Sequence, residues 1–120
     1  SSALAPGRAE ELLRLAAVDD VDLDIVRAAL ALHPDDVALL LDVHAEVGVR
    51  FGAAAGLDLV PDEAHEQGGV PSVGVFVRLG APTEAANEAF EAFRREWWLP
   101  RMRTSERGLA LDCVWLWKAL

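Results

Sequence analysis

Cysteine, tyrosine and lysine are nearly missing from this sequence. Cys113 is the single cysteine in 120 residues. No disulfide can form within the chain, so stability must come from packing, and the default compartment is a reducing one. Tyrosine is absent, which removes one type of catalytic acid–base group. Lys118 is the only lysine, so arginine carries nearly all the positive charge. No apolar run approaches the roughly 18 residues of a membrane-spanning helix, and none is expected. The first residues show no basic stretch leading into an apolar one, so no export signal is expected and the expected location is cytoplasmic.

Motifs of catalysis and cofactor binding are missing too. The chain has no GxxxxGK[ST] or GxGxxG loop to cradle phosphates, no CxxC or HExxH to hold a metal, and no GxSxG. Candidate nucleophiles are limited to Cys113, Ser72, Ser105, Thr83 and Thr104. Cys113 falls in a strand-like run on the same side as Leu111 and Trp115, the setting of an inert buried thiol. No cofactor and no resident metal are expected.

What the chain does contain is enough apolar material for one domain, 1–120, with a real core: 52% of the residues are hydrophobic. Its net charge of −9 opposes nonspecific binding to nucleic acid or an anionic membrane. That charge is unevenly spread. Residues 1–72 hold 14 acidic and 4 basic side chains, and residues 73–120 hold 6 acidic and 7 basic ones.

Hydropathy patterning divides the chain in the same way. Pro6 can open a helix to about Val18 with Leu12, Leu13, Leu15 and Ala16 on its apolar side. Asp19 or Asp20 can cap a second helix to about Leu32, burying Leu23, Val26, Leu30 and Ile25. Residues 39–51, LLLDVHAEVGVRF, fit two templates. As a strand they would line up Asp42, His44 and Glu46 on one face as metal or acid–base ligands, the basis of an enzyme reading. As a helix they place Val37, Leu40, Leu41, Val43, Val47 and Phe51 on one side. Asp42, Glu46 and Arg50 then form a solvent stripe, with Glu46 four residues before Arg50. Pro34-Asp35-Asp36 is a helix start, and Ala53-Ala54-Ala55-Gly56 reads as its stop, so the helix is preferred.

Residues 57–72 form a connector with a possible helical turn at 61–66, where Asp62, Glu63, His65 and Glu66 make a second polar group. Val73–Leu79 (VGVFVRL) is the clearest strand. Thr83 can cap a helix to about Trp98, with Ala86, Ala89, Phe90, Phe93 and Trp97 inside, Glu91 paired to Arg95, and Pro100 as its end. LALDCVWLW (109–117) alternates as a second strand. The expected fold is therefore α+β, with a helical N-terminal half packed on a C-terminal β-α-β unit. Two strands make a poor sheet. Residues 39–51, a short piece near 57–60, or a second copy of the chain must complete it.

Two stretches, DDVALLLDVHAEVGVR (35–50) and FGAAAGLDLVPDEAHEQGGVPSVG (51–74), resemble the second helix, PDE-type turn and following helix start of acyl carrier proteins. The likeness covers about a third of the chain, and implies a carrier-like helical surface. The position of that family's phosphopantetheine serine falls near Val37, which has no hydroxyl, and VGVFVRL reads as a strand where the family has a helix.

The C-terminal half carries all four tryptophans, Trp97, Trp98, Trp115 and Trp117, with Arg94, Arg95, Arg101, Arg103 and Arg107 between or beside them. Tryptophan and arginine dominate interface hot spots because both tolerate burial while making directed contacts. Trp98, beside Arg94 and Arg95, is expected to be half exposed and to stack with Arg94. The expected function is a non-enzymatic protein-binding or accessory module, self-associating or docking on a partner through Arg94, Arg95, Trp98, Arg101 and Arg103.

Overall fold

Pro34 opens the longest element of the chain, which settles the ambiguous stretch as a helix. The computed structural model describes residues 6–61, 73–102 and 111–115. Helix α1 (Pro6–Leu15) is followed by a 3₁₀ turn (Asp20–Asp22), α2 (Leu23–Leu32) and α3 (Pro34–Phe51). Strands β1 (Gly56–Pro61) and β2 (Val73–Leu79) come next. A continuous helical stretch then runs through α4 (Glu84–Phe93), a π-turn (Arg94–Trp98) and α5 (Leu99–Met102), and β3 (Leu111–Trp115) closes the series. The fold is α+β.

Helix α3 buries Val37, Leu40, Val43 and Val47, a spacing of three and four that only a 3.6-residue period places on one side. Two aspartates stand in its first turn beside the positive end of the helix. It ends at Phe51, earlier than the alanine run suggested. Gly52 takes φ +92° and ψ 174°, outside what a residue with a Cβ adopts readily, and the chain turns out of the helix there. Gly56 instead begins β1.

The sheet is completed by that short piece after α3. Its order is β1-β2-β3. β1 and β2 are antiparallel, with Leu57 opposite Val77 and Leu59 opposite Val75. β2 and β3 are parallel, from Val75 opposite Leu111 to Leu79 opposite Trp115, so α4, the π-turn and α5 lie within the crossover. Leu57, Leu59, Val73, Val75, Val77 and Leu79 are buried on the core side, while Asp58, Phe76 and Arg78 are half-buried on the other. Val73–Leu79 is a strand where the resemblance to acyl carrier proteins implied a helix.

Helix α1 stops at Leu15, short of Val18, because Ala17 is extended against β1. The Ala17 N–H donates to Leu57 O at 2.7 Å, and the Leu59 N–H donates to Ala17 O at 2.9 Å. This one-residue bridge satisfies groups on the outer edge of β1 that a bare strand would leave open. Leu12 and Ala16 are buried, whereas Leu15 is largely exposed. In α2 the buried residues are Val26, Ala29 and Leu30, with Leu23 and Ile25 half-buried at the margin. Among the described residues no helix is long and apolar enough to cross a membrane.

Candidate functional site

The arginine- and tryptophan-rich helix owes its geometry to a change of helical pitch. Thr83 caps α4, its Oγ1 accepting from the Ala86 N–H at 3.0 Å. Phe90 and Phe93 then enter the core. From Arg94 the hydrogen bonding widens, and the Leu99 N–H donates to Arg94 O, five residues back. Residues five apart now share a face, so Trp98 follows Phe93 inward and is 2% exposed. This corrects the expectation of a half-exposed Trp98 beside Arg94. Pro100 does not end the helix, which continues to Met102. A widened turn relieves the clash of a proline ring with the preceding turn, and the missing N–H interrupts a ladder already broken there.

Trp97 takes the place expected of Trp98. Its ring stacks on Phe93 with centroids 5.6 Å apart and planes 15° from parallel. The Arg101 guanidinium lies 3.7 Å from the Trp97 ring centroid, and its Nη1 donates to the Trp97 carbonyl at 3.1 Å. A cation this close to an indole face is held by the ring quadrupole as well as by its hydrogen bond. Arg101 is exposed, so a guanidinium of fixed position stands at the surface on an aromatic support that reaches the core.

A second arginine ties this helix to α3. Arg50 Nε donates to Glu46 at 2.8 Å, the i, i+4 pair legible in the sequence, and its Nη1 donates to Glu96 of the π-turn at 3.3 Å. It also lies 5.7 Å from the Phe93 ring centroid. The hydrogen bond to Glu46, with that to Glu96 behind it and burial opposing both, raises the Arg50 pKa above its ordinary value. Phe51 meets Phe93 edge-on at 6.0 Å. The end of α3 and the π-turn are thus joined by charge and aromatic contact together.

Of the remaining expected contact residues, Arg95 is exposed and Arg94 is half-buried. Arg94 Nη1 meets Glu91 at 3.5 Å, so the expected Glu91–Arg95 pair is replaced by Glu91–Arg94. Arg94 Nε is buried and has no hydrogen-bond partner among the described residues. Arg103, Arg107 and Trp117 lie outside the described residues, as does the polar group Asp62, Glu63, His65 and Glu66. Sequence reasoning passed over Trp97 as the supporting ring, although its i, i+4 spacing to Arg101 was there to find it.

The Asp42, His44 and Glu46 cluster does not form. Helical geometry puts Asp42 and Glu46 on one side and His44 roughly opposite. Asp42 is exposed and Glu46 is engaged by Arg50. His44 is half-buried, with Nδ1 buried and unpartnered among the described residues. The enzyme reading required a strand here and loses its basis. Elsewhere, a shallow cleft of about 270 Å³ opens beside β1, lined by Val18, Asp19, Val60 and Arg78 among others. Arg78 Nη1 is bound to Asp58 across the β1–β2 pair on its wall.

Compared with protein-family models, with curated proteins and with solved structures, the chain matches none.

Proposed function

We propose that the chain is a non-enzymatic protein-binding or accessory module, and that its contact surface is the helical stretch from Arg94 to Met102. The observation that carries this reading is the exposed Arg101 guanidinium, seated 3.7 Å over Trp97 and bonded to its carbonyl. Most surface arginines lose considerable side-chain freedom on binding. One already held on a ring has less to lose, and its planar fork suits a carboxylate or backbone carbonyl of a partner. Arg95 and Leu99 are exposed on the same helical stretch. Trp98 contributes from within, by holding the turn in place, and drops out of the contact set.

The test is site-specific photo-crosslinking in the cells that make the protein. A photoreactive residue at position 95 is expected to give defined protein adducts that Arg101→Glu suppresses. The same probe at Ala45, an exposed position on α3, is expected to give none of them. Equal, diffuse labelling at both positions would remove the reading.

A further inference from the structure

We draw no further inference here: the strongest candidate, the cleft of about 270 Å³ beside β1 with Asp19, Asp58 and Arg78 in its lining, carries nothing, because Arg78 is already bound to Asp58 and nothing in the structure shows what would fill it.

Discussion

Glu10 and Arg27 join α1 to α2 by a two-point hydrogen bond, Nε to Oε2 at 3.0 Å and Nη2 to Oε1 at 3.3 Å. The side-chain hydrogen bond from Arg27, opposed by desolvation and helped by the charges of Arg27 and Arg14, holds the Glu10 carboxyl below its ordinary value of 4.5. A carboxyl whose pKa is lowered by folding stabilises the folded chain above its unfolded pKa. That contribution is lost as pH falls through the folded value. Glu10→Gln is therefore expected to lower the urea midpoint at neutral pH, and the gap from wild type is expected to close below pH 4.5. A gap that stayed constant into acid would show that the pair does not titrate with folding. At Gly52 the constraint is backbone geometry. A Cβ there would meet nothing within 4 Å, so Gly52→Ala has no clash to relieve and only φ +92° to overcome. The expected loss is about 1–3 kcal/mol in urea unfolding. A neutral result would mean that the helix end relaxes to another stop.

Single elements explain where sequence reading succeeded and where it failed. Helix α3 was legible because its start, its acidic first turn and its buried period agree. β2 was legible because VGVFVRL alternates between buried and half-buried along its length, as the strand does. The C-terminal helix was legible only as far as Phe93. Nothing in RREWW announces a π-turn, and one extra residue in a turn rotates all that follows by roughly 100°. That rotation exchanged the roles of the two neighbouring tryptophans, moved the partner of Glu91 from Arg95 to Arg94, and let the helix pass Pro100. The exchange can be measured. Trp98→Ala is expected to cost about 3–5 kcal/mol, as for a buried aromatic, and Trp97→Ala clearly less. In acrylamide quenching, Trp97→Phe is expected to remove more of the accessible emission than Trp98→Phe. The opposite order would mean that the helix keeps its α pitch in solution.

Taken whole, the buried residues form one cluster that runs from Leu12 and Ala16 through α2 and α3, across the sheet, to Phe90, Phe93 and Trp98. No layer in it is independent of the next. Leu40, 0% exposed on α3, is expected to show this: Leu40→Ala should cost about 2–5 kcal/mol. Far-ultraviolet dichroism and tryptophan fluorescence should shift to the same lower urea midpoint, because helix and sheet share the core. Separated transitions would divide the cluster into units.

Periodicity and composition alone determined the helical N-terminal half, the identity of β2 and the β-α-β order, because these follow from which side chains recur at which interval. Tertiary structure decided the rest. Residues 56–61 became a strand because β2 offered an edge to pair with, and Ala17 was drawn out of α1 to cover the next one. The widened turn at 94–98 brought both Phe93 and Trp98 to the core and left Trp97 beneath Arg101. Hydrogen-bond partners across a sheet and room beneath a helix are properties of neighbours distant in sequence, and no local pattern encodes them.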